Sequence, residues 1–340
     1  MSKLLLGILT SSKIELLRES YRTAIEQEKL KKLKYDIYII VNTTNDDYYY
    51  KVMEEFKNVN IVRTNSNGKP GMGHNSVINF FKYKKEYDYL FMLDGDDFLY
   101  NKALQIIENY IYNYNIDVLM LMYHDCLTYN INAINIPHIV INNNCYLQYN
   151  FNNIADKLWL KDKGYNPFKY PIYNLNTLGR IILYSRKSLE YNIKYDNNCF
   201  LYDDFYPAMQ GMELAYKNMN VFRTSNSNIY IYNRMNENSQ TNNFKDNMKK
   251  KHDELHFRKS IMNKFDIIKD WDLTRIKKID NNNIDYTFEE KYNTVTKIIK
   301  NLKLKNKVIE NKDNYKLFIN FIKAHKLKNF DFIEKYYILS

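Results

Sequence analysis

The fold is decided by one stretch of sequence, YLFMLDGDD, which occupies residues 89–97. Five apolar or aromatic residues are followed directly by three carboxylates and one glycine. A short, continuous apolar run is typical of a strand that is buried on both faces of a parallel sheet. An Asp-Gly pair is also a common turn, so the acidic end has an ordinary interpretation as the close of a strand. Crowded carboxylates repel one another, and a cation relieves that repulsion, so Asp94 and Asp96 are candidate metal ligands.

Strand and helix patterns alternate around this stretch through the first 130 residues. The apolar runs predict strands at residues 4–10, 35–41, 59–63, 87–93 and 118–123. Apolar residues at helical spacing predict helices between them, at residues 14–25, 46–57, 73–85 and 101–114. Strands that alternate with helices predict an α/β fold, in which a mostly parallel sheet carries helices on both faces.

Three polar clusters directly follow predicted strands. They are residues 10–12 (Thr10, Ser11 and Ser12), residues 42–47, which begin with Asn42, and residues 94–97. In parallel sheets with helices on both faces, ligands bind at the carboxyl ends of the strands. The shared position of the three clusters therefore indicates a ligand site.

Composition limits the class of protein. Of the 340 residues, 45% are hydrophobic and 16% aromatic, which excludes a compositionally disordered chain. The 33 Tyr and the many Asn and Lys, with only 8 Gly, indicate an AT-rich source genome, such as that of a large DNA virus. Three Cys without metal-binding spacing predict free thiols in a reducing compartment. No apolar run approaches the ~18 residues that span a bilayer, which predicts a cytoplasmic protein, with a viral factory or the membrane periphery as alternatives.

Charge is distributed unevenly along the chain. The formal net charge is +11, and Lys residues are concentrated after residue 245. A basic chain is suited to bind nucleic acid, an anionic membrane surface or a phosphorylated substrate. We predict one domain at residues 1–243 and a basic helical module at residues 244–340. This module is expected to contact a membrane surface or a protein partner.

Residues 67–99 resemble the GT-A glycosyltransferases, in particular the large family-2 type. The loop NGKPGMGHN at residues 67–75 opens a helix, and an apolar strand with its Asp-x-Asp follows in the order and spacing of that family. Asn75 falls where the family keeps an Asn, and His74 replaces its usual Arg. The resemblance implies a Rossmann-like GT-A fold for residues 1–243, with a C-terminal helical extension. It also implies a nucleoside-diphosphate sugar as donor substrate and Mn²⁺ or Mg²⁺ as cofactor.

The resemblance also implies roles for individual residues. Asp94 and Asp96 contact the metal and the ribose, and residues 1–100 form the half that binds the nucleotide sugar. The donor-binding residues that it implies are Thr10, Ser11, Ser12, Asn42, Lys69, Asn75, Asp94 and Arg234. Asn42 stands where the family usually carries an Asp that contacts the base, which leaves the identity of the base open, although an Asn also pairs with a base edge.

The acceptor half, residues 101–243, contains YDDFYP at residues 202–207, which resembles the family's Glu-Asp pair. We expect Asp204 to be the base that takes the acceptor hydroxyl proton, with Asp203 as its neighbour. The same pair has an ordinary interpretation as the N-terminal cap of the helix that follows. Arg234 lies in YIYNRMNENS at residues 230–239, which resembles the segment closing many such domains, and it is either a phosphate clamp or a surface ion pair.

These features together predict a metal-dependent, inverting transfer of a sugar, with a UDP-sugar favoured, to a hydroxyl of a glycan, protein or lipid. Three alternatives are open. A nucleotidyltransferase requires a Gly-rich basic loop after the first strand, and residues 10–13 contain no Gly. A nucleic-acid-binding protein accounts for the charge, although the sequence has no zinc-finger or helix-turn-helix signature. The third alternative is a non-catalytic relative of the GT-A enzymes, which has the same fold but does not transfer a sugar.

Overall fold

The computed structural model has an α/β fold around one eight-stranded sheet. The structure describes residues 1–65, 69–121, 125–128, 146–149, 180–197, 205–224, 226, 228–233, 275–279, 286 and 288–303.

The strands and helices have the following bounds. The strands are β1 (Lys3–Thr10), β2 (Lys34–Asn42), β3 (Asn60–Thr64), β4 (Tyr89–Asp94), β5 (Phe98–Leu99), β6 (Val118–Leu121), β7 (Asp125–Thr128), β8 (Tyr146–Tyr149), β9 (Arg180–Ser185), β10 (Val221–Thr224), β11 (Tyr230–Asn233) and β12 (Lys277–Ile279). The helices are α1 (Ile14–Ile25), α2 (Asp46–Glu55), α3 (Pro70–Tyr83), α4 (Ala103–Tyr114), α5 (Arg186–Leu189), α6 (Phe205–Tyr216) and α7 (Phe288–Asn301).

The large sheet has the strand order β12-β10-β6-β9-β4-β1-β2-β3. Every neighbouring pair is parallel except the two pairs that β9 forms, with β4 and with β6. The predicted α/β class with a mostly parallel sheet is therefore confirmed. Because β9 runs in the opposite direction, its first residue, Arg180, pairs with Leu121 at the edge where the parallel strands end.

The order of strands reverses between β1 and β4. From β1 the chain proceeds to β2 and β3 on one side, and then crosses back so that β4 pairs with the other side of β1. Open α/β sheets bind ligands in the crevice at such a switch point, outside the carboxyl ends of the strands. Thr10, the last residue of β1, and Asp94, the last residue of β4, lie at this crevice.

Helices cover both faces of the large sheet. One core joins α1, α2 and α4 to the sheet, and a second core joins α3 and α6 to the opposite face. Helix α3 begins at Pro70, three residues before the start that the sequence predicts, because Pro is well suited to the first turn of a helix. Helix α6 begins at Phe205, as predicted.

A second, four-stranded sheet has the order β5-β11-β7-β8. Its edge strand β5 lies only four residues beyond the end of β4, and it pairs antiparallel with β11. In the described part of residues 244–340, β12 pairs parallel with β10 and so extends the large sheet. No helix among the described residues is long and apolar enough to cross a membrane.

The entry to β2 is held by Glu108 of α4. Its side chain is buried, and its carboxylate accepts hydrogen bonds from the backbone N–H groups of Lys31, Lys32 and Leu33. The distance from Glu108 Oε1 to the backbone nitrogen of Leu33 is 2.7 Å. Hydrogen bonds to an ionised carboxylate are stronger than neutral ones, so this contact fixes the turn from which β2 starts.

We predict that Glu108→Ala lowers the free energy of unfolding by about 2–3 kcal/mol, because three backbone donors lose a charged acceptor. Urea denaturation followed by circular dichroism measures the change. The matched control is Glu54→Ala on the exposed side of α2, for which we expect a change below ~0.5 kcal/mol. Equal stability of the two variants would refute the role assigned to Glu108.

Candidate active site

The acidic turn, residues 94–97, is packed onto the end of β1. The Gly95 N–H donates a 2.7 Å hydrogen bond to the Leu9 carbonyl, and the Asp97 N–H closes the turn by donating to the Asp94 carbonyl at 3.0 Å. A Cβ atom at Gly95 would lie 2.9 Å from the Leu9 carbonyl oxygen and 2.9 Å from Thr10 Cβ, closer than real Cβ contacts. Glycine is therefore required between the two aspartates, because the backbone of the turn touches the backbone of β1.

Asp94 lies between two basic side chains. Its Oδ1 is 3.0 Å from His74 Nε2, and its Oδ2 accepts a 2.7 Å hydrogen bond from Arg180 Nη1. Burial by itself raises the pKa of Asp94, but the Arg180 guanidinium and His74 outweigh burial and hold that pKa well below its ordinary value. Asp94 is therefore ionised, and its orientation is fixed by partners on α3 and β9.

Asp97 joins the acidic turn to the second sheet. It is buried, its Oδ2 accepts a 2.7 Å hydrogen bond from the Tyr230 hydroxyl, and its Oδ1 accepts a 2.8 Å bond from the Asn233 N–H. Burial, reinforced by the charges of Asp96 and Asp94, raises the pKa of Asp97 well above its ordinary value. The neutral form of Asp97 is thus favoured, which reduces repulsion within the turn.

Asp96 lies between these two anchored carboxylates and is half-buried. Among the described residues, no group of three or more His, Cys, Asp or Glu is placed to hold a metal ion. Mg²⁺ is usually held by one or two carboxylates together with substrate phosphates, and it does not need an all-protein cage. The carboxylate of Asp96, with the ionised Asp94 beside it, fits a divalent cation of that kind.

His74 is held by the segment that follows α5. Its ring stacks on Tyr195 with a centroid distance of 4.4 Å and an interplanar angle of 25°. The neighbouring Asn75 accepts a 2.7 Å hydrogen bond from the Tyr195 N–H and donates to the Tyr195 carbonyl at 3.0 Å and to Asn197 Oδ1 at 2.7 Å. Asn75, predicted as a donor-binding residue, therefore uses both ends of its amide to keep Tyr195 against His74.

The end of β1 is closed by a tyrosine of α2. Thr10 Oγ1 lies 2.6 Å from the Tyr48 hydroxyl, which donates a 3.1 Å hydrogen bond to the Ser12 carbonyl. Burial raises the pKa of Tyr48 to about 12, so its hydroxyl stays protonated at neutral pH. The side chains of Ser11 and Ser12 are exposed beside this contact, at the carboxyl edge of the sheet.

Asn42, predicted to contact the nucleotide base, is buried at the end of β2. Its Oδ1 accepts a 3.1 Å hydrogen bond from Thr64 Oγ1, and its amide nitrogen would lie 2.6 Å from a Cβ atom at Gly73. The side chain thus fills the space between β3 and the first turns of α3. Lys69 precedes this helix, where its carbonyl accepts a hydrogen bond from the Gly73 N–H.

Most of the predicted site residues lie at one edge of the large sheet. The others are not among the residues that the structure describes. Those at the ends of β1, β2 and β4 and at the start of α3 are Thr10, Ser11, Ser12, Asn42, Lys69, Asn75, Asp94 and Asp96. Asp203, Asp204 and Arg234 lie outside the described residues. Arg180 and Tyr230 were not predicted as site residues, although Tyr230 stands in the segment that the resemblance singled out and Arg180 directly precedes an apolar run.

No protein-family model matches the chain, and no curated protein matches it. Among solved structures, S. aureus TarS 1-349 in complex with UDP-GlcNAc is similar at 14% identity, with 96% of this chain and 92% of that chain covered and a TM-score of 0.46. S. aureus TarS in a longer form is 14% identical over 99% of this chain, with a TM-score of 0.44, and this chain spans 55% of its length.

The mannosyltransferase from Pyrobaculum calidifontis in complex with GDP-Man and Mn²⁺ is 10% identical, with 77% of this chain and 64% of that chain covered and a TM-score of 0.43. At these TM-scores the likenesses carry no conclusion about the function of the chain.

We predict that Asp94→Asn lowers the free energy of unfolding by about 2–4 kcal/mol at pH 7, because the largely buried Arg180 loses its 2.7 Å carboxylate partner. The pKa of Asp94 is lower in the folded state than in the unfolded state. Its ionised carboxylate therefore stabilises the fold above the unfolded-state pKa of about 3.9, and this stabilisation is lost as pH falls toward the folded-state pKa. The difference in the free energy of unfolding between wild type and Asp94→Asn should therefore become smaller below about pH 4. Urea titrations at pH 7 and pH 3 measure it.

The control for this measurement is Glu54→Gln, which changes an exposed carboxylate near the end of α2. If the difference in the free energy of unfolding between wild type and Asp94→Asn is the same at pH 7 and pH 3, the lowered pKa assigned to Asp94 is wrong.

Proposed function

We propose that the chain is a metal-dependent glycosyltransferase that moves a sugar from a nucleoside-diphosphate sugar, a UDP-sugar in the first place, to a hydroxyl acceptor on a glycan, protein or lipid. The observation that carries this proposal is the position of the acidic turn, residues 94–97, at the switch-point crevice between β1 and β4. A pair of carboxylates at such a crevice suits the divalent cation that accompanies a diphosphate.

The leaving group explains why the acidic turn is needed. A departing nucleoside diphosphate carries negative charge that must be neutralised as the glycosidic bond breaks, and a divalent cation supplies this neutralisation when bound. Asp96 is the carboxylate that we assign to the cation, with Asp94 facing the cation or the ribose. Arg180 and His74 hold Asp94 in place before the donor arrives, so that no reorganisation is needed during the reaction.

The nucleotide is assigned to the polar edge formed by the ends of β1 and β2. Thr10, Ser11 and Ser12 supply hydroxyl and backbone groups there, and Lys69 before α3 supplies a positive charge for the phosphates. Asn42 contributes to this edge by packing, since its carbonyl oxygen already accepts a hydrogen bond from Thr64. The recognition of the base then falls to neighbouring groups at the same edge.

The acceptor is assigned to the side of α6. Asp204, with Asp203 beside it, takes the proton of the acceptor hydroxyl while the acceptor oxygen bonds to the anomeric carbon of the sugar. The bond from that carbon to the diphosphate oxygen breaks on the opposite face, and the configuration inverts. Arg234 is assigned to a phosphate of the donor, which its fork of donors is suited to bind.

We predict that Asp96→Asn abolishes metal-dependent nucleotide binding while the protein stays folded. With Mn²⁺ and UDP or GDP, the Tm of wild type should rise by about 2 °C or more, as a ligand in large excess of its Kd produces. Asp96→Asn should lose this rise and hydrolyse the donor about a hundredfold more slowly, because it lacks the cation's carboxylate. Thermal-shift assays and nucleotide release from UDP-GlcNAc, UDP-glucose and GDP-mannose measure both effects.

Glu54→Gln again serves as the control for this pair of assays, because Glu54 is exposed and lies outside the predicted ligand site. A wild-type protein that shows no Tm rise with any nucleotide and metal, or an Asp96→Asn variant that keeps the full rise, would overturn the proposed function.

We predict that Asp204→Asn lowers the kcat of donor hydrolysis, with water in place of the acceptor, by about 10²–10⁴-fold, because a general base is lost. Asn caps a helix as well as Asp does, so the Tm and the nucleotide affinity should stay at their wild-type values. An unchanged kcat with unchanged stability would show that this pair serves as a helix cap only.

A further inference from the structure

Helix α1 contacts the acidic turn and the strand β5 that follows it. Ser20 Oγ donates to the Asp94 carbonyl at 3.4 Å, and Thr23 Oγ1 accepts a 3.2 Å hydrogen bond from the Leu99 N–H. Ser20 and Thr23 are buried, and because they are three residues apart they lie on the same face of the helix. One face of α1 therefore contacts the first residue of the acidic turn and the strand β5 that follows the turn.

Gln27, just beyond α1, continues this contact. Its Nε2 donates a 2.8 Å hydrogen bond to the Tyr100 carbonyl, and its Oε1 accepts a 2.9 Å bond from the Leu104 N–H. The Glu28 N–H also donates to the Asn101 carbonyl at 2.8 Å. The segment that leaves the acidic turn is thus fixed by hydrogen bonds at several successive positions.

Tyr286 and α7 pack onto the same segment. The Tyr286 ring lies against the ring of Tyr100, with a centroid distance of 4.9 Å, and both side chains are buried. The backbone N–H of Lys102 donates a hydrogen bond to the Tyr286 hydroxyl. Tyr286 therefore contacts both the side chain and the backbone of residues 100–102, which follow the acidic turn after only two residues of β5.

Two charged residues of α7 reinforce this contact. Lys291 is only 6% exposed, and its Nζ lies 4.9 Å from the centroid of the Tyr100 ring. Glu290 forms an ion pair with Lys102. Lysine is almost never buried without a favourable partner, so the burial of Lys291 over an aromatic face marks a defined packing arrangement.

The far end of α7 contacts α1. Asn301 Nδ2 donates a 3.0 Å hydrogen bond to Glu19 Oε2, and Glu19 is buried. Lys297 Nζ lies 2.8 Å from Glu26 Oε2 in an exposed ion pair, which contributes little by itself. Helix α7 thus contacts both structures that hold the acidic turn, the segment at residues 100–102 and helix α1.

We propose that Tyr286 and α7 are positioning elements for the acidic turn, so that this described portion of the C-terminal region serves the reaction through the turn. This inference rests on the proposed function, because the turn matters for turnover only if its carboxylates bind the metal and the nucleotide. Catalytic groups must be held within about half an ångström of their productive geometry, and packing behind them supplies that precision. Tyr286, two residues before α7, makes the aromatic contact and the backbone hydrogen bond to the segment leaving the turn.

The test uses full-length variants and amide hydrogen exchange, which needs no bound ligand. Tyr286→Ala should exchange about tenfold faster than wild type at residues 97–102, because the aromatic contact and the hydrogen bond to Lys102 are both lost. Tyr286→Phe keeps the ring, so it should exchange faster at Lys102 alone. Residues 37–41 of β2 report global stability and should exchange at the wild-type rate in both variants.

Turnover provides the second measurement. In Tyr286→Ala, the kcat of donor hydrolysis should fall about tenfold or more, with a smaller change in the KM for the donor, because displaced carboxylates act mainly in the transition state. Tyr286→Phe should recover most of the lost kcat. Tyr83→Ala, which removes a 79% exposed tyrosine from the end of α3, is the matched control and should equal wild type in both measurements.

Unchanged exchange at residues 97–102 in Tyr286→Ala would overturn the positioning role, and so would an equal increase at residues 37–41, which indicates a general loss of stability. If Tyr286→Ala does not fold, Glu290→Gln, which removes only the ion pair to Lys102, takes its place together with Tyr286→Phe. A wild type that binds no nucleotide would overturn the proposed function, while the exchange pattern still decides whether α7 holds the turn.

Discussion

The ion pair between Asp94 and Arg180 is the interaction on which the arrangement of the site depends. It links the end of the parallel strand β4 to the start of the antiparallel strand β9. Arg180 reaches this edge only because β9 runs against its neighbours, so that its first residue lies where theirs end. Without the Arg180 guanidinium, the neighbouring carboxylates of this partly buried turn would repel one another, at a cost in free energy.

The acidic turn divides three chemically identical side chains among three environments. Asp94 is kept ionised by Arg180 and His74, whereas burial and neighbouring charge favour the neutral form of Asp97 beside Tyr230. Asp96 lies between them and is partly exposed to solvent. Such a division reduces the repulsion between carboxylates that stand close together.

Much of the fold could be predicted from apolar runs, because strands such as β1 and β4 are buried on both faces and read as continuous hydrophobic segments. The direction of β9 could not be predicted, because an apolar run such as residues 181–184 looks the same in a parallel and in an antiparallel strand. Strand β5 has two residues, too few for any periodicity. For the site, the polar ends of β1 and β4 were recognisable, while the contacts of Arg180 and Asn75 span 86 and 120 residues and left no local pattern. The roles of Asp203, Asp204 and Arg234 stay predictions.

The separation of 86 residues between Asp94 and Arg180 also bears on how the protein is made. Strands β1 to β4 come from the first 94 residues and pair among themselves, so they can associate while the rest of the chain is still being synthesised. Arg180, which pairs with Asp94 at the edge of this sheet, is synthesised several seconds later, because translation adds ~5–20 residues per second. During that interval Asp94 lacks its guanidinium partner, and His74 is the one of its two basic contacts that is already synthesised.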